Sequence, residues 1–498
     1  MSCGLVIPRK VRSVTRNSKS RFLQAAVVLS TIASCLVTTG RAAAEVTIVK
    51  GPTWDVYVAG RAGAFISYNF GEGPPIPVKP GSNIQSPSGG GSPVGGGIDT
   101  SQPPHEVIYE YDAAGMVIPT KQGRIEKMRV RSGTHSNILT LGMHKSLSPT
   151  AKLTAQLSIW GTIESDFTGG RTSSPANGIR DNGVSADFRE AYLRVDSTSW
   201  GSFTGGRFMG IVGRDNFEID TLYGHGYGVG FPIVSRAFNE PATGDVVYPG
   251  PTSGMAGFGM LGGYQAAGIM YTTPDLSGIK ASVGLFDASR YGLAGWNTTR
   301  IPRPEAGLTY DLHSGNINLH LFGSGGLQTL YNGNSPLNTT IWAVSYGGRF
   351  EVGPLHVGGG GFMGKGAGTV FAFDDNPAMS STSSTTNVFN PMTMMNVPIK
   401  DYEIRDTRGF FGMVQVAVGS FDIGGGAGQT TILLVEADKL QLNMISPVKS
   451  QLGFFGAVVY HVNDSLHLDL DAMQGGYKWY NGEHQKLNVI SGGATLTF

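Results

Sequence analysis

"SLHLDLDAMQGGYKWY", Ser465 to Tyr480, is the stretch on which the fold turns. Leu466, Leu468, Leu470 and Ala472 share one parity, with His467, Asp469 and Asp471 between them. Alternation at period two marks a β-strand with two unlike faces. In a soluble sandwich the leucines would meet a core and the acids bulk water. In a transmembrane barrel the leucines meet lipid and the acids an aqueous lumen. The choice rests on the rest of the chain.

The pattern recurs. "KLTAQLSIWGTIE" sets Leu153, Leu157 and Ile159 against Gln156, Ser158 and Glu164, and "NINLHLF" alternates Ile317, Leu319 and Leu321 with Asn318 and His320. "KASVGLF" and "WAVSYGGRFE" put Lys280 and then Arg349 on the polar side, and "VYVAGRAGAFISYNF" carries Arg61 against Ala62, Ala64 and Ile66. These runs reach roughly ten residues, the length a tilted strand needs to cross a bilayer. The connections alternate too. Short ones fall at 146–150, 197–201, 274–277, 313–315, 352–354 and 463–464, and long ones at 71–126, 208–262, 367–406 and 436–448. A soluble sandwich gives no reason for that alternation. The expectation is an all-β, antiparallel, up-and-down transmembrane β-barrel of about sixteen strands, with short periplasmic turns and long extracellular loops. Aromatics near strand ends (Trp54 with Tyr57, Tyr68 with Phe70, Trp479 with Tyr480) suit girdles at the membrane interfaces, with core aromatics as the alternative.

Composition sets the remaining bounds. The chain has 498 residues, 74 of them Gly, and only 15% are charged, against about 25% in soluble domains. Residues 1–44 read as a signal peptide: a basic segment from Arg9 to Arg21, an apolar run from Phe22 to Val37, and Ala42-Ala43-Ala44 before Glu45. The Cys35 box offers a lipoprotein-type alternative cleavage site, and a retained anchor is the other reading. Removing 1–44 takes away seven bases and no acid, so 37 Lys+Arg fall to 30 against 36 acids and the mature chain stands near −6. That balance argues against nucleic acid as a partner. Cys3 and Cys35 both lie in the leader, so residues 45–498 contain no cysteine. No apolar run of about 18 residues follows the leader, so a membrane-spanning chain here must span as a barrel. The Pro/Gly/Ser-rich stretch 71–104 reads as a flexible surface loop within the 45–498 barrel domain.

"DFREAYLRVDSTSWGSFTGGRFMGIVGRDNFEID", Asp187 to Asp220, resembles the general, non-specific porins of Gram-negative outer membranes. The resemblance rests on Arg189-Glu190-Ala191-Tyr192, the "WGSF" turn at Trp200–Phe203, Gly206-Arg207, the "YTTPDLSG" turn and the terminal Phe498. It implies a homotrimeric sixteen-stranded barrel in the outer membrane, amid lipid and lipopolysaccharide, whose third long loop, 208–262, folds into the lumen. It also implies that Phe498 signals insertion by the barrel-assembly machinery. Acids at the start of that loop, Asp215, Glu218 and Asp220, would face bases of the wall, Arg189, Arg207, Arg129 and Arg131, across the constriction. Two conflicts attend that set. Arg189 shares parity with Ala191, Leu193 and Val195, and Arg129 and Arg131 clash with Leu139 and Leu141 unless a bulge intervenes. Arg61, Glu164, Lys280, Arg349, His467, Asp469 and Asp471 are expected to face the lumen.

Enzymatic and cofactor signals are weak. "GGGFMGKG" at Gly359 lacks the Ser or Thr and the following helix of a phosphate loop. "GHGYGVG" at Gly224 has no βαβ context. Scattered histidines suggest no metal site, and no cofactor is expected. The function expected is a water-filled channel for passive diffusion of small hydrophilic solutes and ions, not an enzyme. The alternatives are a barrel hydrolase, which needs a nucleophile and base at one rim, and a solute-selective channel.

Overall fold

Sixteen of the alternating segments hydrogen-bond edge to edge and close into a cylinder in the computed structural model. The structure describes residues 45–72, 83–84, 94–95, 107–108, 124–131, 137–161, 186–219, 257–262, 265–288, 300–331, 338–367, 387–390, 395–398, 405–435, 448–480, 482 and 484–498. The signal-peptide segment, most of the 71–104 loop, Glu164 and Asp220 lie outside them.

The staves are β1 (Trp54–Glu72), β2 (Asn137–Ser148), β3 (Ala151–Gly161), β4 (Ala186–Ser197), β5 (Gly201–Met209), β6 (Gln265–Thr272), β7 (Ile279–Phe286) and β8 (Arg303–Ser314). They continue as β9 (Ile317–Tyr331), β10 (Asn338–Val352), β11 (Leu355–Lys365), β12 (Asp406–Val418), β13 (Phe421–Ile432), β14 (Val448–His461), β15 (Leu466–Trp479) and β16 (His484–Thr497). Each pairs antiparallel with the next, and β16 returns to β1 from Arg61↔Thr497 to Gly71↔Leu487. Closure leaves no unpaired sheet edge, which a wall in hydrocarbon requires. Three further strands share the sheet: Val46–Lys50, Val107–Ile108 and Arg124–Arg131. Arg124–Arg131 pairs with the end of β1 nearest the long loops, and β2 pairs with the other end. The first long connection is therefore shorter than the sequence suggested, because part of it is wall.

Seven connections are short and sit at one end, where each spans at most the six residues between Thr272 and Ile279. Gly353 and Gly419, at φ of 54° and 61°, open two-residue turns that L side chains adopt poorly. In the β6–β7 turn, the Gly278 N–H donates to Asp275 Oδ1 at 2.6 Å. That bond, with Lys280 nearby, holds the Asp275 carboxyl below its usual pKa. Its support of the turn is complete above the ordinary carboxylate range and fades as the pH falls through the lowered value.

Directly paired residues share a face, so one strand's parity propagates around the wall. On β15, Leu470 is 51% exposed outward, while Asp469 and Asp471 are 6% and 3% exposed on the inner side. Leucines out and acids in is the barrel arrangement. Leu141, Leu193, Phe203, Ile269, Val283, Leu321, Val357 and Phe410 continue the outer apolar surface. Ser158, Thr204, Ser345, Thr430, Ser491 and Thr495 are buried on the inner one.

Two expectations about side chains need correction. Tyr57 and Trp479 are buried and share the parity of the inner face. Trp54, as expected, is outward near the short turns, where Trp200, Phe203, Tyr271, Phe421 and Tyr460 join it, with the last two rings 4.9 Å apart. Nor is the inner face polar throughout. Phe411, Met413, Phe455, Val459, Met473, Tyr477 and Val489 form a buried apolar cluster along β12–β16.

Phe498 continues the closing ladder. Its N–H donates to Gly60 O at 3.0 Å, and it accepts from Gly60 N at 2.7 Å. A Cβ at Gly60 would lie 2.5 Å from the Phe498 ring, so the ring occupies the space that Gly60 leaves. Deleting Phe498 removes both bonds, each worth about 0.5–1.5 kcal/mol. The expected result is a smaller heat-modifiable, folded fraction on a gel; an unchanged fraction would show the contact to be dispensable.

Candidate functional site

After β5 the chain turns against the inner wall, and glycines of that wall receive it. Ile211 and Ile219 are fully buried. A Cβ on Gly307 would stand 2.6 Å from Ile211 Cγ2, and one on Gly358 would stand 2.4 Å from Ile219 Cγ2. On the returning limb Phe258 lies over Gly453, and the Gly259 backbone lies over Gly409. At each seat a side chain on the wall would force its neighbours to shift. Gly358, the seat for Ile219, immediately precedes the "GGGFMGKG" stretch at Gly359.

Polar bonds lock the same segment. Glu305 Oε2 accepts from the backbone N–H groups of Ile211 and Val212 at 2.6 and 3.0 Å, and Glu305 Oε1 accepts from Arg303 Nε at 2.7 Å. Both side chains are about 1% exposed. Asn216 Nδ2 donates to Leu261 O at 2.7 Å and joins the two limbs, while Ser345 Oγ donates to Asn216 Oδ1. Thr430 Oγ1 donates to Gly257 O and accepts from Gly259 N. The apolar cluster of β12–β16 includes Phe258, Met260 and Ile219 of the loop, so part of the inner wall is a core shared with it.

A helical turn of the loop, α1 (Asn216–Ile219), presents Glu218, whose side chain is 56% exposed. Its backbone carbonyl accepts from Arg349. Its Oε2 lies 3.6 Å from His320 Nε2, and His320 Nδ1 lies 2.7 Å from Asp311 Oδ1. Asp311, His320, Arg349 and Gly358 are successive cross-strand partners on β8–β11. Lys280 is 3.9 Å from Asp311, and Arg349 Nε is 2.7 Å from Glu351 Oε1. A row of alternating charge therefore runs along the wall beside the exposed acid of the loop.

The expected constriction residues divide. Glu218 and Arg349 meet, although Arg349 was expected only to face the lumen. Asp215 is buried and pairs with its neighbour Arg214 at 3.2 Å, so it does not confront bases of the opposite wall. Arg207 is a correction. It sits opposite Ala191 and Ala267, in line with outward Leu193, Phe203 and Ile269. The odd parity of β5 thus puts it on the exterior side. Arg189 is resolved by a bulge, because Ser158 pairs with Glu190 but Ile159 pairs with Phe188. Freed from the ladder, its guanidinium lies 4.9 Å over the Trp160 ring. Arg129 and Arg131 hold register opposite Ser67 and Phe65, positions of the inner-face parity of β1. Arg61, of the same parity of β1, pairs with Ile138, so the inner-face positions are odd-numbered at Arg129 and Arg131 and even-numbered from Ile138 onward.

Among the expected lumen residues, Arg61, His467, Asp469 and Asp471 are buried on the inner face and Lys280 shares its parity. Asp471 Oδ1 accepts from Ser491 Oγ at 2.6 Å, and His467 Nδ1 is 2.9 Å from His461 Nδ1. The reading missed Arg303, Glu305, Asp311 and the role of His320. Only His320 had a usable signal, the alternation of "NINLHLF".

Gly358→Val tests the seating. The added Cβ cannot coexist with Ile219 where it lies. The expected result is a folded, heat-modifiable barrel with altered single-channel conductance; wild-type conductance from a folded variant would mean the loop does not depend on this seat.

Neither a family model nor a curated protein sequence matches the chain. Solved structures do. The outer membrane channel DcaP of Acinetobacter baumannii matches at a TM-score of 0.56 and 13% identity, over 91% of this chain and 100% of that one. An anion-selective porin from Comamonas acidovorans matches at 0.48 and 13%, over 89% and 100%. OmpF of Salmonella typhi, in complex with daunomycin, matches at 0.43 and 9%, over 89% and 98%. At 13% identity the likeness to DcaP is one of architecture, and by that architecture this chain has a porin-like β-barrel fold.

Proposed function

We propose that the chain forms a water-filled channel in the outer membrane of a Gram-negative bacterium, passing small hydrophilic solutes and ions by passive diffusion. In this reading residues 1–44 are the export signal, 45–498 the barrel, and the segment 208–262 narrows the pore. The short turns then face the periplasm and the long loops the exterior. A homotrimer set among lipid and lipopolysaccharide, inserted by the assembly machinery through Phe498, completes the proposal.

The observation that carries it is the combination of an outward apolar surface on a closed barrel with an inward charged row beside an exposed acid on an inner-wall loop. A water-filled path needs such a row, because polar groups facing hydrocarbon would be costly. Folded protein added to planar bilayers should give current steps that scale with the conductivity of the bathing salt. Heat-modifiable protein that inserts into lipid yet never conducts would overturn the proposal.

A further inference from the structure

Glu218 is an exposed acid whose carboxylate lies 3.6 Å from His320 Nε2, in a ring that carries its charge only when protonated. We infer that His320 is a specificity-determining residue: protonation of its imidazole neutralises Glu218 and lowers the channel's preference for cations. The inference rests on the channel reading and goes beyond it, since it names the residue and the sign of the effect.

The hydrogen-bond pattern sets that sign. His320 Nδ1 lies 2.7 Å from the Asp311 carboxylate, which only accepts, so the Nδ1 proton is committed there. In the neutral ring Nε2 is then a lone pair, buried, without a hydrogen-bond partner, and 3.6 Å from Glu218 Oε2. Two acceptors face each other. A second proton makes Nε2 a donor aimed at that carboxylate. Histidine is the side chain whose charge changes between pH 5 and 8.

The surroundings supply no competing base for the Glu218 carboxylate among the described residues. Arg349 of β10 bonds the Glu218 carbonyl rather than its carboxylate, and it pairs with Glu351. Lys280 of β7 pairs with Asp275 and Asp311. With His320 neutral, the group formed by Lys280, Asp275, Asp311, Arg349, Glu351 and Glu218 sums to two negative charges; with His320 protonated the sum is one. Two other histidines stand nearby. His356 of β11 meets Glu351 at 3.1 Å, and His313 meets Asn318 at 2.8 Å. Neither touches Glu218.

The test is the reversal potential of single channels in a KCl gradient at low ionic strength, at pH 8 and pH 5. The wild type should lose about sixfold in its potassium-over-chloride preference on acidification, because one unit charge about 8 Å away in water-like dielectric shifts each ion about 2.4-fold, in opposite directions. His320→Gln should hold its preference across the range. Glu218→Gln, an exposed change, should start with the lower preference and lose more of it on acidification, because His320 beside Asp311 still gains its charge. His356→Gln should behave as the wild type. A wild-type channel whose selectivity ignores pH, or a His320→Gln channel that still loses preference at pH 5, would overturn the inference. If His320→Gln fails to fold, the wild-type profile and Glu218→Gln still decide it: a Glu218→Gln channel with the wild-type preference at pH 8 also overturns it. Absence of any conductance from folded wild-type protein would instead overturn the channel reading.

Discussion

Glu305→Ala is expected to lose about 3–5 kcal/mol of stability, the cost of removing one partner from a buried ion pair. The carboxylate holds three donors: Arg303 Nε and the backbone N–H groups of Ile211 and Val212. Its loss removes the buried carboxylate that pairs with Arg303, and it releases the entry of the inner-wall loop from β8. Glu305→Gln keeps an acceptor oxygen and should lose less. Urea titration of the folded, heat-modifiable form in lipid or detergent reads the difference. Equal stability of Glu305→Ala and the wild type would show that the loop is held by its apolar seats alone.

The second large effect is on the outside of the barrel. Leu470→Arg should cost about 2–4 kcal/mol, the range for a basic residue facing lipid near the bilayer midplane. Leu470→Ala removes packing that faces only lipid and should stay near the wild type. The natural inward comparison, Asp469→Arg, is not a mild control. Asp469 is buried, and Thr495 Oγ1 donates to it at 3.4 Å, so an Arg there would also be damaging. Folded yield in the outer-membrane fraction separates the two Leu470 variants; equal yields would reverse the parity assigned to β15.

The barrel was legible because period-two alternation is a local property that survives in any single strand. Leu470 against Asp469 and Asp471 separated two faces, and the recurrence of that pattern with the alternating connection lengths assigned them to lipid and lumen. Bulges are where that reasoning failed. Arg189 sits at an extra residue that no pattern in "DFREAY" announces, and its direction depends on how Ser158 and Ile159 choose partners. Arg207 failed for another reason. Its strand has too few large side chains to show its parity, and the resemblance supplied an inward assignment that the register with Ala267 does not support.

The loop's anchorage was illegible for a third reason. A glycine in a strand announces close approach but not by what. Gly307, Gly347 and Gly358 are spread over three staves, and only the closed barrel shows that Ile211 and Ile219 share out the space above them. The same holds for Glu305, which looks like any strand acid until two backbone amides from ninety residues earlier arrive at it.

The most direct test of the central claim, that Glu218 projects from the inner wall into the conducting path, is substituted-cysteine blockade. Residues 45–498 contain no cysteine, so a single introduced thiol is the sole target there. Glu218→Cys and Leu470→Cys channels are recorded before and after a charged, membrane-impermeant thiol reagent. The account predicts a stepwise fall in single-channel current for Glu218→Cys and none for Leu470→Cys. Complete labelling of Glu218→Cys, verified by mass, with no change in current would contradict it.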